Sequence, residues 1–333
     1  MLDQYSLFKQ RGFLNCEPAT ILIACMIMNA QIDNRYVLGH LDVKMRARFW
    51  TGIAISVLLF MSMGSLILKP WDPYGAICLQ LVENDAFFLA RITGLLLAVG
   101  VFASIIIDAR LPLFGTFAAC VGMAIPIVKT AGMDYVMVRL QAEGKALEHP
   151  QDLWGNLALE TLLWSVVLAV LLIGTMLTEQ WLNKSHQNST PPASPEPGKK
   201  KRSSLFWLKG LGGIVITVIL ALFLIAILAA NIRKGQIVFA TIVGFYLASL
   251  TAEQIAENDH PIWQVLAVPI VAFIAYIYTW FHPDRPPGLE SILHIAPNGL
   301  ARILSVEYIF LGTIGAIFGN WTSHKVRHNK QHG

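Results

Sequence analysis

The sequence predicts an all-α integral membrane protein with about eight transmembrane helices in a 4+4 arrangement. Hydrophobic residues make up 55% of the 333-residue chain and charged residues only 14%, and the mean hydropathy is +0.56. Soluble proteins carry roughly 25% charged residues, so lipid is the expected solvent for much of this chain. Several apolar windows also approach the ~20 residues that a helix needs to cross a hydrocarbon core.

Four of these windows precede a polar segment and four follow it. The first four-helix membrane block covers residues 50–178, and the second covers residues 206–321. The sixth window is the shortest, so it is predicted either to span or to re-enter. The expected spans are Trp50–Leu68, Ala86–Ile107, Leu111–Val128, Leu157–Thr178, Leu211–Ala230, Gln236–Ala252, Ile262–Phe281 and Ile303–Trp321.

Three segments outside these blocks are polar or too short to span. Residues 179–205 are rich in Pro, Ser and Lys, a composition typical of a disordered cytoplasmic linker. Residues 1–49 are predicted to be cytoplasmic or interfacial, because the apolar patch at 19–32 is shorter than a membrane span. Leu22–Cys25 also matches a lipoprotein signal, but Glu17 and Pro18 interrupt the apolar stretch that such a signal needs. Residues 322–333 form a basic, His-rich cytoplasmic tail.

The distribution of Lys and Arg predicts the orientation. Most of the 25 Lys and Arg residues fall on one side when the N-terminus is inside and the chain crosses eight times. By the positive-inside rule, we expect a multi-pass protein of the plasma membrane or bacterial inner membrane with both termini cytoplasmic. Arg233 and Lys234 disagree, since they fall outside. The localised basic charge predicts contact with anionic lipids in the bilayer and no nucleic-acid partner.

Three charged residues fall inside the apolar windows. Charged side chains are costly in the membrane and are by default candidates for function. Glu160 and Glu307 are therefore candidate proton carriers, cation ligands or partners of a buried base. In the alternative interpretation, Glu160 reaches the interface and Glu307 pairs with Arg302 or snorkels. Arg91 is similarly ambiguous, with Glu83 or Asp85 as a possible partner.

A second group of candidates lies before the seventh span. Glu253 and Glu257 are four residues apart on one predicted helix face, and Asp259 and His260 follow. These groups form a candidate cation site, although such a cluster is more often a solvated helix end, here before Pro261. In the tail, His324, His328 and His332 recur every four residues, but the interleaved basic residues weaken a metal-binding interpretation.

Small residues recur at helical spacing in two spans and predict close helix packing. Such stripes let helix backbones approach each other in lipid. They are expected to pack this bundle internally or to dock another membrane subunit. The residues are Ala240, Gly244, Ala248 and Ala252 in the sixth window, and Gly312, Gly315 and Gly319 in the eighth.

No catalytic, nucleotide-binding or cofactor motif is present in the sequence. The four cysteines show no metal-ligand spacing, and no sequence pattern indicates a particular metal or a cofactor. The preferred hypothesis is a non-catalytic subunit or scaffold that packs against other membrane proteins through the small-residue stripes. The alternative is a secondary transporter or channel that uses the intramembrane carboxylates. A membrane-embedded enzyme ranks third, because no His, Asp or Ser residues converge at one depth.

Overall fold

The computed structural model describes residues 43–64, 75–81, 85–107, 111–142, 150–187, 203–229, 233–256, 260–282 and 298–332. All of them belong to one compact unit, Leu41–Gly333. Every regular element in these ranges is helical, as expected for a chain whose backbone polar groups must be satisfied without water.

Nine α-helices form the described part of the chain. A π-helical turn, Phe60–Gly64, extends the first helix, and short 3-10 turns lie at Leu79–Leu81 and Leu300–Arg302. The helices are α1 (Val43–Leu59), α2 (Asp85–Ile107), α3 (Phe114–Lys129), α4 (Met133–Ala142), α5 (Pro150–Gln187), α6 (Ser203–Leu228), α7 (Lys234–Ala256), α8 (Ile262–Phe281) and α9 (Ser305–His332).

Five of the described helices are long and apolar enough to cross a membrane. They lie in α2, α5, α6, α7 and α8, and a sixth span is possible if α3 and α4 together form one bent segment. The multi-pass character is therefore confirmed, whereas eight spans in a 4+4 arrangement are not. The expected sixth span is one continuous helix of 23 residues, α7, which is long enough to cross.

The expected first and eighth spans are not among the five helices that are long and apolar enough to cross a membrane, and the reason differs between them. The first, expected at 50–68, begins earlier, at Val43, and is described only to Gly64. The eighth, α9, is long enough, but Gly, Thr, Glu and Asn residues lower its hydropathy. Residues 303–317 are buried without exception. A helix surrounded by protein does not need the apolar exterior that lipid demands, which explains its composition.

Helix α9 is the central helix of the described unit. It packs against α3, α5, α7 and α8, most extensively against α7. Helix α6 covers α7 and α8 and presents large apolar side chains outward, with Phe223 62% exposed. This arrangement places the ends of α5, α7 and α9 side by side.

Two boundaries depart from the sequence-based expectation. Helix α5 continues to Gln187, into the segment expected as linker, and α6 begins at Ser203; residues 188–202 lie outside the described ranges. The expected third span, Leu111–Val128, corresponds to α3, which ends at Lys129, but part of the polar loop expected after it is helical: α4 follows at an angle of 51°. The break at residues 130–132 lies one turn after Pro126, which is inside α3.

Candidate functional site

Glu307 lies in the first turn of α9, where the helix begins after a 3-10 turn. Its Oε2 accepts a hydrogen bond from the Leu304 backbone N–H at 2.9 Å. This is the glutamate half of a capping box, and a negative charge here also complements the helix dipole. Its Oε1 forms an ion pair with Lys234 Nζ, and the Glu307 side chain is fully buried while that of Lys234 is 12% exposed.

Lys234 begins α7 and also contacts the break between α3 and α4. Its ammonium group donates to the Ala131 carbonyl at 3.2 Å, and Asp134, in the first turn of α4, interacts with it electrostatically. A break in a helix frees backbone carbonyls that can then serve as ligands. The broken segment therefore supplies a carbonyl oxygen, and Asp134 a carboxylate, to the Glu307–Lys234 pair.

The ion pair of Glu307 is with Lys234 and not with Arg302, the partner offered by the alternative interpretation. Arg302 Nη1 instead donates to the Ala229 carbonyl at 3.2 Å, just after α6. The ion pair also accounts for one of the two basic residues that disagreed with the predicted orientation. Because Lys234 is paired with a buried carboxylate, it does not act as a free positive charge in the positive-inside rule.

Glu160 lies in the third turn of α5 and is buried, with 3% of its surface exposed. Three donors converge on its carboxylate. The Cys78 thiol and the Leu79 backbone N–H both donate to Oε2 at 3.1 Å, and the Trp164 indole N–H donates to Oε1 at 3.1 Å. Trp164 lies inside the expected fourth span, Leu157–Thr178, and this bond gives its polar group a partner.

Tyr276 of α8 lies within electrostatic range of both carboxylates. Both Glu160 and Glu307 interact electrostatically with its hydroxyl. That hydroxyl donates to the Ile303 carbonyl at 2.5 Å, and Ser305 Oγ lies 3.4 Å from it. The structure thus brings together the two carboxylates that the sequence singled out. We call this group the buried polar cluster: Glu160, Lys234, Tyr276, Ser305 and Glu307.

Aromatic and backbone contacts fix the cluster between helices. Ser305 Oγ donates to the Leu157 carbonyl of α5 at 3.1 Å. The Tyr276 ring stacks on Trp154 with centroids 6.4 Å apart and meets Tyr308 edge-on at 6.1 Å. These contacts join α5, α8 and α9 at the end of the bundle where α5, α7 and α9 begin. We call this the cluster end.

The carboxylates at the cluster end can bind and release a proton or a cation. A carboxylate can take a proton or bind a hard cation through oxygen. Here the Glu307 carboxylate is paired with a lysine, and the Glu160 carboxylate accepts hydrogen bonds from a thiol, a backbone N–H and an indole N–H. Buried ion pairs are weak evidence for stability, because the cost of desolvation offsets the attraction. Such groups in a membrane protein are therefore candidates for function.

The predicted cation site falls at the opposite end of the bundle. Glu253 is fully buried and accepts a hydrogen bond from Gln264 Nε2 of α8 at 2.8 Å. His260 Nδ1 accepts from the Ile262 N–H at 3.3 Å at the start of α8, and burial lowers the pKa of His260 below its ordinary value. Glu257 and Asp259 lie outside the described residues. Within the described ranges, no three His, Cys, Asp or Glu side chains are grouped to hold a metal ion.

The remaining charged candidates do not join the cluster. Arg91 is exposed on α2, and its guanidinium carbon lies 3.8 Å from the centroid of the Phe87 ring. Its expected partner Glu83 lies outside the described residues. His324, His328 and His332 lie within the helical backbone of α9, but their side chains are outside the described set.

The small-residue stripes pack helices of this chain against each other. A Cβ atom built on Gly312 would lie 2.8 Å from side-chain atoms of Phe245 and Val268, and on Gly315 or Gly319 it would collide with carbonyl oxygens of α7. On α7, a Cβ at Gly244 would lie 2.7 Å from Ile225 of α6. The other members of that stripe, Ala240, Ala248 and Ala252, are fully buried.

Several residues of the cluster were not predicted. Tyr276 and Ser305 carry no signal in the sequence, because hydroxyl groups are common in apolar helices. Lys234 did carry one, since its charge was out of place in the predicted topology. Cys78 lies in a short apolar stretch between two spans, and its burial depends on a tertiary contact.

The chain matches no protein-family model, no curated protein and no solved structure. The functional argument therefore depends on the residues themselves.

Proposed function

We propose that this polytopic membrane protein is a secondary transporter or channel in which the buried polar cluster handles a proton or a monovalent cation. The observation that carries the proposal is the broken segment α3–α4 beside an ion pair whose carboxylate is fully buried. Interrupted helices whose free backbone groups face a charged site are a recurring feature of transporters. Here the Ala131 carbonyl and Glu307 carboxylate share the Lys234 ammonium.

In this proposal the Lys234 ammonium group occupies the place at the Glu307 and Ala131 oxygens that a transported cation takes during transport. A proton taken up by Glu307 neutralises the partner of Lys234 and weakens the attraction between α7 and α9 at the cluster end. A monovalent cation does the same by competing with the ammonium group for the Glu307 and Ala131 oxygens. Either event links the charge state of Glu307 to the separation of two helices.

With both termini cytoplasmic, as the Lys and Arg distribution predicts, the cluster end faces the outside. Glu253 and Gln264 then lie at the cytoplasmic end of the same bundle. Between the two ends, α9 presents buried apolar residues, among them Phe310, Ile314 and Ile317. This apolar layer closes the path in the state described, so movement of the helices is required for transport.

The glycines on which the scaffold hypothesis was based pack against other helices of this chain. Gly312, Gly315 and Gly319 face α7, and Gly244 faces α6, so these glycines are occupied within the chain. Docking of another subunit stays a prediction. Purification in mild detergent tests it, since a scaffold is expected to retain a partner in fixed stoichiometry, whereas a transporter is active alone.

Reconstituted vesicles test the transport proposal. Purified protein is inserted into liposomes, and an imposed gradient of protons, Na⁺ or K⁺ is followed with an internal ion-sensitive dye. We expect a flux that is strongly reduced in Glu307→Gln and Glu160→Gln. Asp152→Asn is the matched control, because Asp152 is an exposed carboxylate on the same helix as Glu160.

The control variant is expected to keep the native flux. If the native protein moves none of these ions, or if Glu307→Gln transports as fast as the control, the proposal is wrong.

A further inference from the structure

The segment at residues 75–81 lies between α1 and α2, and its residues 75–79 are buried although they are not part of an α-helix. Ala76, Ile77, Cys78 and Leu79 are at most 3% exposed. Non-helical backbone within a membrane protein is tolerated where it is buried in protein or lines a cavity. A buried segment without helical hydrogen bonds needs other partners for its N–H groups.

Glu160 supplies such a partner. A single carboxylate oxygen, Oε2, accepts both the Leu79 N–H and the Cys78 thiol, each at 3.1 Å. Within the described residues of the segment, Cys78 N–H donates to the Ala76 carbonyl, and Leu81 N–H donates to the Cys78 carbonyl, each at 3.1 Å. The Cys78 thiol and the Leu79 N–H share one oxygen of α5.

We infer that residues 75–81 form a gate over the buried polar cluster and that Glu160 is the positioning residue that holds the gate closed. The inference rests on the proposed function, since it gives Glu160 a role in controlling access to the cluster. Trp164 holds the other carboxylate oxygen at 3.1 Å and so orients Oε2 toward the segment.

The same oxygen couples the gate to the occupancy of the site. A proton or cation bound at Oε2 takes lone pairs that accept the Cys78 and Leu79 bonds, so uptake at Glu160 weakens the hold on the segment. Among the described residues, the titratable groups that interact with Glu160 include the Cys78 thiol on the segment and the Tyr276 hydroxyl on α8. Beyond Tyr276 lie Glu307 on α9 and Lys234 on α7.

Cys78 reports the opening directly, because a thiol that is fully buried reacts with maleimide only when the segment moves. The experiment uses the full-length protein in detergent micelles, with Cys16, Cys25 and Cys120 replaced by Ser, Ser and Ala. We expect Cys78 to be labelled slowly in this background. Glu160→Ala removes the acceptor of two hydrogen bonds and should accelerate labelling at least about tenfold.

Two controls separate gating from general loosening. Glu253→Ala removes a buried carboxylate at the opposite end of the bundle and should leave the labelling rate of Cys78 unchanged. In a second background that keeps Cys120 and lacks Cys78, Glu160→Ala should leave Cys120, which is fully buried in α3, unreactive.

Equal labelling of Cys78 with and without Glu160 contradicts the gate. Parallel exposure of Cys120 does so too, because the whole bundle has then loosened. Glu160→Gln is the milder variant and should give an intermediate rate, which keeps the test decisive if Glu160→Ala fails to fold. The labelling assay requires no transport, so a vesicle experiment without flux would refute the proposed function and leave this result standing.

Discussion

Replacing Lys234 with methionine leaves the Glu307 carboxylate buried without its cationic partner. The methionine has a similar length and packs in the same space, so the change isolates the charge. Breaking a buried ion pair by removing one partner costs about 3–5 kcal/mol. The Leu304 N–H still donates to Glu307, which moves the expected loss toward the lower end of that range. The bond from Lys234 to the Ala131 carbonyl is also lost, adding about 1 kcal/mol.

The double variant Lys234→Met/Glu307→Gln removes both charges together. Glutamine can still accept the Leu304 hydrogen bond, and no charge remains buried and unpaired. We expect the double variant to lose only about 1–2 kcal/mol, which is less than Lys234→Met alone. The difference between the loss in the double variant and the sum of the losses in the two single variants gives the interaction free energy of the ion pair.

Unfolding in detergent, followed by tryptophan fluorescence against added denaturant, gives the free energies. Arg233→Met is the matched control, because Arg233 is the exposed neighbour of Lys234, and it should change stability by less than about 0.5 kcal/mol. If Lys234→Met is as stable as this control, or if the two single losses simply add, the pair is not the buried unit described here.

The remaining predictions concern packing and the opposite end of the bundle. Gly315→Ala should destabilise the protein by about 1–3 kcal/mol, because the new Cβ collides with the Ile242 carbonyl oxygen. The control Gly94→Ala places its Cβ in open space and should be neutral or slightly stabilising. Thermal unfolding compares the two variants. Gln264→Leu removes a donor to Glu253 and should cost about 1–3 kcal/mol in a denaturant titration, with no loss if the bond does not form. Burial lowers the pKa of His260, so on acidification the unfolded chain takes up this proton at a higher pH than the folded protein does. The contribution of His260 to the free energy of unfolding is therefore fully present above pH 6.5 and is lost as the pH drops below that value. A pH series of unfolding midpoints should be flatter in His260→Gln than in the native protein.

Much of the fold could be predicted because lipid imposes a strong constraint on sequence. The windows at 86–107 and 262–281 coincide with α2 and α8 almost residue for residue. The weaker predictions fall where the environment is protein rather than lipid. Helix α9 is buried among four neighbours, so its composition no longer reports a span, and the bend after α3 depends on contacts that hydropathy does not contain.

The candidate site was predictable in its members but not in its assembly. Glu160 and Glu307 could be singled out because ionisable residues are rare in apolar windows. Hydropathy does not say which helices are neighbours, so the position of Tyr276 within electrostatic range of both carboxylates was not predictable. Lys234 was visible only as an exception to the charge distribution, and the structure gives the physical reason, a carboxylate 73 positions along the chain.

The central claim is that the Glu307–Lys234 pair handles an ion during transport. Its most direct test is the ion flux of vesicles that contain the double variant Lys234→Met/Glu307→Gln, compared with native protein and with Arg233→Met. The double variant should be nearly as stable as the native protein, so misfolding cannot account for a loss of activity. We predict flux in the native protein and the control and none in the double variant. Native flux from the double variant would contradict the account.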